Sequence, residues 1–396
     1  MATTRQVMAP AQTGNRVMLG LAVSGYLLTS WAWTLLGPLA PMLRDALGLS
    51  PMRQALVVAV PVVVGALARV PAGALTDRLG GRRVQLLILG STVLALLELA
   101  LIGHRSFGGL LVGGVLLGAA GAMFAASVAF VGGWFPPGRR GLAFGVLGLG
   151  LCGGALGGAS GVRLASAYGL AAPFLVTAVA VGLFGLIALT LLRDPPSRSA
   201  DQVRPRPREA LRLPITRQAV AWYTVNFAVF VTFTSFLPVY LVNAYGMAAD
   251  RTGDVMAVFM LVAVLMRPVG GWLADRWTPA RPLVAALTLV ALGTAVQATT
   301  PPLPVLLIGT LPALALGVGV ASTAVLAQIG RVAPPDMVGL VTGLASAAGG
   351  LAGFACPLLM AYAYQLFGDY GPALGGLAAG AAAAVIHVAI KVGHSR

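Results

Sequence analysis

Charged side chains are scarce in this sequence, at 9% of its 396 residues, whereas hydrophobic residues account for 58% and the mean hydropathy is +0.90. This composition excludes a water-soluble domain for most of the chain and predicts a polytopic membrane protein. Lysine is the rarest charged residue, because Lys391 is the only one. A phosphate-binding loop needs a lysine behind its glycines, so we expect no transport driven by ATP hydrolysis on this chain.

Cysteine and histidine are also rare, with two and three residues. Cys152 and Cys356 lie in separate glycine-rich segments, a distribution that indicates neither a disulfide framework nor a zinc site. His104, His387 and His394 are scattered along the chain and are interpreted as interfacial or tail residues. We therefore expect no bound metal, no cofactor and no enzymatic activity.

The apolar residues fall into twelve runs of about 20 residues, the length that a helix needs to cross the hydrocarbon core. The sequence thus predicts an all-α protein with twelve transmembrane helices, at residues 17–40, 54–76, 84–103, 107–132, 141–164, 170–192, 219–243, 254–274, 282–299, 303–328, 337–363 and 370–391. Residues 193–217 form the only long polar connection, and their proline, serine and arginine content is typical of a linker, with room for a short helix on the membrane surface. They divide the chain into six-helix halves at 1–192 and 218–396.

The net charge of +15 is unevenly distributed. Twelve spans place both termini on one side, and that side holds 19 of the 26 lysines and arginines, seven of them in the linker. The opposite side holds five: Arg44, Arg53, Arg105, Arg163 and Arg251. Positive residues mark the cytoplasmic face, so we expect a protein of the plasma (inner) membrane with both termini and the linker in the cytoplasm, and no nucleic-acid partner. Residues 1–15 are interpreted as a cytoplasmic tail rather than a cleaved signal.

The two halves repeat one another at an offset of 198 residues. The segments from Arg69 to Arg78 and from Arg267 to Arg276 share arginine, glycine, aspartate and arginine at identical spacing. The same offset relates further residues: Gly121 and Gly319, Pro136-Pro137 and Pro334-Pro335, Gly141 and Gly339, and Gly145 and Gly343. The chain is therefore interpreted as a tandem duplication.

Arg69 and Arg267 lie in the middle of two predicted spans. A guanidinium in hydrocarbon costs at least about 2.5 kcal/mol, so an intramembrane arginine indicates function. Because the repeat places the two arginines at equivalent depths, we expect them to face each other across one central anion site. A planar guanidinium fork suits the oxygens of a small planar anion better than the hydrated point charge of lysine does.

Glycines crowd two spans that the repeat relates. The first contains Gly145, Gly148, Gly150, Gly153, Gly154, Gly157 and Gly158, and the second contains Gly343, Gly349, Gly350 and Gly353. Small residues let helix backbones approach closely in a membrane. Two interpretations stay open, tight packing alone or helices thin enough to rock against their neighbours during transport.

Several segments together show a family resemblance. They are Gly73-Ala-Leu-Thr-Asp77-Arg78-Leu-Gly80-Gly81-Arg82-Arg83, Gly121-Ala-Met-Phe124, Trp134-Phe135-Pro136-Pro137 and Arg267-Pro-Val-Gly-Gly271. On these residues the chain resembles the major facilitator superfamily and, within it, the nitrate/nitrite porter family. The first segment is typical of the whole superfamily, whereas paired intramembrane arginines with the Trp-Phe-Pro-Pro turn are typical of the nitrate group. The resemblance implies two six-helix halves with a substrate site between them.

The resemblance also implies roles for individual residues. Arg69 and Arg267 would clamp the anion, and aromatic rings at Phe124, Tyr223 and Phe227 would line the site. The family's fifth helix usually carries an asparagine beside the substrate, whereas this chain has Leu151 or Cys152 there, depending on register. That departure leaves the choice of anion open.

Two aspartates, Asp77 and Asp275, end the arginine-containing spans and lie too shallow to contact a central substrate. The resemblance implies that these aspartates, with Arg78, belong to a gate. Each aspartate would pair with Arg82, Arg140 or a helix N-terminus when the cytoplasmic side is closed. An ordinary loop turn that carries topology signals is the alternative interpretation.

These features predict a secondary transporter of nitrate and/or nitrite that works by alternating access, as a monomer in the lipid bilayer. No Asp or Glu lies near the middle of spans two, four, five, seven, eight, ten or eleven, so a proton carrier is missing from the site and nitrate/nitrite exchange is favoured over proton symport. Two alternatives remain. One is a facilitator for another substrate, such as cyanate, a carboxylate or a drug, and the other is a membrane sensor that binds an anion without moving it.

Overall fold

The computed structural model describes residues 9–195 and 207–393, and within these ranges the chain is helical and contains no strand. Three predicted features lie wholly or partly outside the described residues. They are the first half of the proposed tail, the middle of the linker with Arg198, Arg204 and Arg206, and His394. The part of the linker that is described includes a short helix, Pro207–Arg212.

Eleven helices within the described ranges are long and apolar enough to cross a membrane, and one bent pair forms a twelfth. The N-terminal half contains α1 (Asn15–Leu47), α2 (Pro51–Leu79), α3 (Gly81–Arg105), α4 (Phe107–Trp134), α5 (Pro137–Tyr168) and α6 (Ala172–Leu191). The C-terminal half contains α7 (Pro214–Ser235 and Leu237–Tyr245), α8 (Arg251–Arg276), α9 (Ala280–Ala298), α10 (Val305–Val332), α11 (Val338–Phe367) and α12 (Gly371–Ile390). The predicted all-α architecture of twelve transmembrane helices is confirmed.

Most of the helices extend beyond the apolar runs that predicted them. The predicted span 54–76 is part of α2, which begins one residue after its N-cap Ser50 and has Pro51 in its first turn. The Ser50 hydroxyl accepts a 3.3 Å hydrogen bond from the Arg53 amide, and the helix ends at Gly80, where φ is 95°. Hydropathy marks only the part of a helix inside the hydrocarbon, whereas caps and polar end turns continue it through the interface.

Several helices are interrupted within the membrane. In α1 the helix stops after Trp33 and resumes at Leu36, and 3₁₀ turns interrupt α4 at Ala119–Ala122 and α5 at Leu149–Cys152. The predicted continuous span 219–243 is instead bent by 62° between the two segments of α7. Pro238 lies in the first turn of the second segment. Because proline has no N–H to continue the α-helical ladder, the chain can change direction there.

The two halves meet through glycine-mediated contacts near the membrane face at which α1 begins and α12 ends, here called the terminal face. A Cβ at Gly73 would collide with the Gly339 backbone, and a Cβ at Gly271 would collide with the Gly141 backbone. These contacts join α2 to α11 and α8 to α5. One continuous apolar core crosses both halves there, whereas a separate core, from Val229 to Ala381, fills the other end of the C-terminal half.

Candidate functional site

Arg69, on α2, is buried with 4% of its surface exposed, and both halves hold it. Its Nε donates a 3.2 Å hydrogen bond to the Gly121 carbonyl, which lies in the 3₁₀ turn of α4. Its Nη1 donates a 2.8 Å hydrogen bond to the Ser346 carbonyl on α11. Arg69 therefore joins its own half to the opposite half through one guanidinium.

Arg267, on α8, is equally buried at 3% exposure but is held differently. Its Nε and Nη2 atoms are buried and have no hydrogen-bond partner among the residues that the structure describes. Leaving a buried donor unpaired costs about 1–3 kcal/mol, and more when the group is charged. The repeat is thus chemically asymmetric at this point, since Arg69 is fixed by carbonyls while Arg267 keeps two donors available to an anion.

Two tyrosines connect the arginines. Tyr26 on α1 and Tyr223 on α7 are both buried, and each interacts electrostatically with both Arg69 and Arg267. The rings of Tyr26 and Tyr223 both lie close to Phe124, at centroid distances of 5.4 Å and 6.4 Å from it. The two arginines therefore share one aromatic environment at the junction of the halves.

Aromatic faces also lie close to each guanidinium. Phe227 stacks on Tyr223, with centroids 5.6 Å apart and an interplanar angle of 14°. The guanidinium carbon of Arg69 lies 5.8 Å from the Phe227 centroid, and that of Arg267 lies 5.6 Å from the Phe230 centroid. Such distances allow cation–π attraction, which stabilises a cation that water does not reach. The structure thus brings together all five residues predicted to bind substrate.

Three further residues of this site carry no motif that could have identified them. Tyr26 and Trp33 lie in the apolar run of α1, and Phe230 lies one turn beyond Phe227 on α7. Trp33 donates a 2.8 Å hydrogen bond from its indole nitrogen to the Pro61 carbonyl, which places its ring 5.9 Å from the Arg69 guanidinium carbon. The first segment of α1 ends at Trp33, and apolar periodicity does not reveal this break.

On α5, Cys152 rather than Leu151 is the residue that lies near Arg267. Cys152 is half-buried and interacts electrostatically with Arg267. Its repeat mate is Gly350, where an added Cβ would lie 3.3 Å from Nη1 of Arg69. A thiol therefore occupies the position beside Arg267 that a glycine occupies beside Arg69.

The glycines singled out in the sequence fall into two groups. Gly145 and Gly148 abut Arg267, Gly343 abuts the backbone of Arg69, and Gly350 abuts Ala66, so these four lie between the halves. Six others contact residues of their own half: Gly150 meets Tyr26, Gly153 meets Leu27, Gly154 and Gly157 meet Thr34, Gly349 meets Tyr223 and Gly353 meets Val231, whereas Gly158 borders open space. Only the first group is placed where the two halves would slide against each other.

Asp77 and Asp275 each bind the N-terminus of a helix in the opposite half. Asp77 accepts hydrogen bonds from the amides of Gly339 and Leu340, at 2.9 Å and 2.8 Å. Asp275 accepts hydrogen bonds from the amides of Gly141 and Leu142, both at 2.8 Å. Unpaired amides and the helix dipole make a helix N-terminus a favourable partner for a carboxylate.

The arginines proposed for the gate bind backbone carbonyls. Arg140 donates from Nε to the Phe135 carbonyl at 2.9 Å and from Nη1 to the Gly330 carbonyl in the opposite half. Arg82 donates from Nη2 to the Leu189 carbonyl at 2.9 Å, while its amide donates to Asp194 at 2.9 Å. Arg78 is exposed in the last turn of α2.

Several curated proteins are similar to this chain over most of their length. The probable nitrate/nitrite transporter NarK2 of Mycobacterium tuberculosis is 38% identical over 355 residues, covering 89% of this chain and 90% of that protein. The nitrite extrusion protein of Bacillus subtilis is 29% identical, with 88% and 86% covered. The probable nitrate/nitrite antiporter NarK1 of Thermus thermophilus is 30% identical, with 87% and 84% covered.

Solved structures share the fold at lower identity. A variant of the fucose:proton symporter FucP of E. coli aligns with a TM-score of 0.79 and 17% identity, covering 96% of this chain and 99% of that chain. The human organic anion transporter MFSD10 (TETRAN) aligns with a TM-score of 0.78 and 20% identity, covering 94% and 99%. The family model of the Major Facilitator Superfamily matches residues 22–357 and again residues 223–392. The chain therefore belongs to the major facilitator superfamily.

Proposed function

We propose that this protein transports nitrate and nitrite across the plasma membrane by alternating access. The observation that carries the proposal is the buried pair Arg69 and Arg267, and among the described residues the Nε and Nη2 atoms of Arg267 have no hydrogen-bond partner. A planar anion of two or three oxygens can accept from such a fork while aromatic rings cover its faces. The similarity to proteins named as nitrate/nitrite transporters supports the same substrate class.

We further propose that the terminal face is cytoplasmic, as the excess of basic residues indicates. In that orientation the contacts of Asp77, Asp275, Gly145 and Gly343 between the halves close the cytoplasmic side. The two aspartates would then act as latches that release when the protein opens inward. Gly145 and Gly343 would let the halves approach at the level of the arginines.

Exchange of nitrate for nitrite is the transport mode that fits this site best. The groups around the two arginines are aromatic rings, a thiol and backbone carbonyls, and the nearby carboxylates of Asp77 and Asp275 already accept two hydrogen bonds each. Two cations in a site of low dielectric repel each other, and a bound anion relieves that repulsion. The halves would therefore reorient readily only around substrate. The relative named as a nitrate/nitrite antiporter supports this mode.

The test uses purified protein in liposomes. Vesicles loaded with nitrite should take up nitrate much faster than empty vesicles, with no imposed pH gradient. Equal rates from empty vesicles, or uptake that depends strictly on a proton gradient, would reject exchange while leaving nitrate transport intact. Competition by cyanate and by larger carboxylates in the same vesicles measures whether the site accepts other anions, and vesicles without protein provide the background rate.

A further inference from the structure

A cavity of about 380 Å³ lies on the outer surface of the C-terminal half, near the terminal face. Trp277, at the end of α8, and Arg281, at the start of α9, lie at its mouth. Ala285 and Leu289 of α9 and Leu316 of α10 form its wall and floor. The cavity is a groove that runs from a polar mouth into the apolar thickness of the membrane.

The groove exists because α8 and α9 pack on α10 rather than on each other. A Cβ at Gly270 of α8 would lie 2.6 Å from the Val320 Cα, and a Cβ at Gly317 of α10 would lie 2.8 Å from the Ala286 carbonyl oxygen. These close approaches anchor both helices on the same partner. The space between α8 and α9 therefore remains open, with α10 as its floor.

The mouth of the groove is cationic and aromatic. Arg281 and Trp277 line the mouth, and both are exposed. Arg276, next to Trp277 in the chain, is also exposed, but it lies outside the lining, and its guanidinium carbon is 5.7 Å from the Trp272 centroid. Trp272 and Trp277 are 48% and 50% exposed, as expected for tryptophans at a membrane interface. The neighbouring carboxylate of Asp275 accepts from amides of α5 with both of its oxygens, rather than from these arginines.

We propose that this groove binds an anionic phospholipid of the leaflet at the terminal face. The phosphate would lie against Arg281, with the Trp277 ring at the level of the glycerol backbone and one acyl chain along Ala285, Leu289 and Leu316. Basic pockets between transmembrane helices on the cytoplasmic side are suited to acidic headgroups. A zwitterionic lipid would fill the apolar part equally well, so Arg281 sets the preference for net negative charge.

The tandem repeat supplies a matched control. Arg281 corresponds to Arg83 at the offset of 198 residues, and both are exposed. Trp277 corresponds to Leu79, so the N-terminal half has the arginine at this position without the tryptophan. A preference that comes only from surface charge would respond to both arginines, whereas a lipid site would respond to Arg281 alone.

The experiment is native mass spectrometry of the delipidated full chain, titrated with phosphatidylglycerol or with phosphatidylcholine of the same acyl chains. The wild type should bind one phosphatidylglycerol in preference to phosphatidylcholine. Removing the charge that lines the groove, in Arg281→Gln, should weaken that binding about fivefold. Arg83→Gln should leave it unchanged. Ala285→Trp, which fills the groove and keeps Arg281, should also abolish the preferred adduct.

Several outcomes would overturn the proposal. They are equal affinity for the two lipids, equal losses in Arg83→Gln and in Arg281→Gln, and undiminished binding in Ala285→Trp. Displacement of the lipid by millimolar inorganic phosphate would identify a site for free phosphate instead, and a second copy of the chain in place of the lipid adduct would identify a dimer interface. Elution at the wild-type volume in size-exclusion chromatography establishes that each variant is folded before the titration.

Discussion

Asp77 and Asp275 lie 198 residues apart, and each accepts two backbone hydrogen bonds from the first turn of a helix in the opposite half. The two latches are therefore related by the repeat, one joining α2 to α11 and the other joining α8 to α5. Both lie between the arginines and the terminal face. Breaking either latch should weaken closure of that face without altering the residues that surround the arginines.

We expect Asp77→Asn and Asp275→Asn each to slow nitrate/nitrite exchange. An asparagine has one carbonyl oxygen in place of two carboxylate oxygens, and its amide group would face the helix amides. Since a hydrogen bond to a charged group contributes about 1.5–3 kcal/mol, loss of one bond should shift the equilibrium toward opening at the terminal face by about ten- to a hundredfold. In a chain without Cys152 and Cys356, labelling of a cysteine placed at Thr76, a buried position next to Asp77, would measure the opening. Asp254→Asn, at an exposed position near the other end of α8, is the control, and an equal effect there would contradict the latch.

The substitutions Arg69→Lys and Arg267→Lys should each lower nitrate uptake by at least about tenfold, because a lysine keeps the charge but loses the planar fork. The two variants should differ in kind. Arg267 has the unpartnered donors, so its substitution should mainly raise the KM for nitrate, whereas Arg69 bonds to Gly121 and Ser346, so its substitution should also disturb the contact between the halves. Wild-type uptake in both folded variants would disprove the clamp. The exposed Arg83→Lys serves as the control.

Much of this architecture could be predicted because membrane chemistry limits what a sequence can do. Twelve apolar runs have one simple interpretation, and a buried arginine in hydrocarbon is rare enough to mark a site. The repeat at an offset of 198 residues then predicts that Arg69 and Arg267 lie at equivalent depths. The bend in α7 and the break after Trp33 could not be predicted from hydropathy, because interrupting a helix leaves its apolar character unchanged.

The asymmetry between the two arginines was also hidden from the sequence. Identical spacing around Arg69 and Arg267 implies equal surroundings, yet only Arg69 bonds to a carbonyl at a helix break. Tyr26 lies in the site because α1 packs beside α4 and α5. No local sequence pattern indicates this tertiary contact. The sequence left Arg82, Arg140 and a helix N-terminus open as partners of the two aspartates. In the structure, amides at helix N-termini donate to both carboxylates.

The aromatic residues Phe124, Tyr223 and Phe227 should contribute more to binding than to folding. Alanine at each position removes a ring that lies beside an arginine or stacks on its neighbour, so the Kd for nitrate should rise by about tenfold or more. Phe174→Ala, in a buried core position of α6, should instead lower the Tm and leave the Kd unchanged, since loss of a core phenylalanine costs about 3–5 kcal/mol. Isothermal titration and thermal unfolding of the same samples separate the two effects. If the rise in Kd relative to the fall in Tm were the same in all four variants, the three rings would not belong to the binding site.

Cys152 offers a chemical probe of the arginine beside it. The thiol is half-buried and interacts electrostatically with Arg267, so a negatively charged thiol reagent should be drawn toward it. In a chain with Cys356→Ser, the anionic methanethiosulfonate ethylsulfonate should react with Cys152 faster than its cationic trimethylammonium analogue does, and the mixed disulfide should block nitrate uptake. Saturating nitrate should slow the anionic reaction by about fivefold or more, because substrate and reagent would compete for the same two donors of Arg267.

The reciprocal chain, with Cys152→Ser and Cys356 retained, is the control for Cys152 labelling, because Cys356 is buried on α11 and lines a separate groove against α12. Its uptake should resist the reagent. In a third chain, Arg267→Lys with Cys152 as the single cysteine, nitrate should no longer protect the thiol even though a positive charge remains nearby. Equal labelling rates with and without nitrate in the parent chain would place Cys152 outside the substrate site, and a faster reaction with the cationic reagent would show that Arg267 does not dominate the local potential.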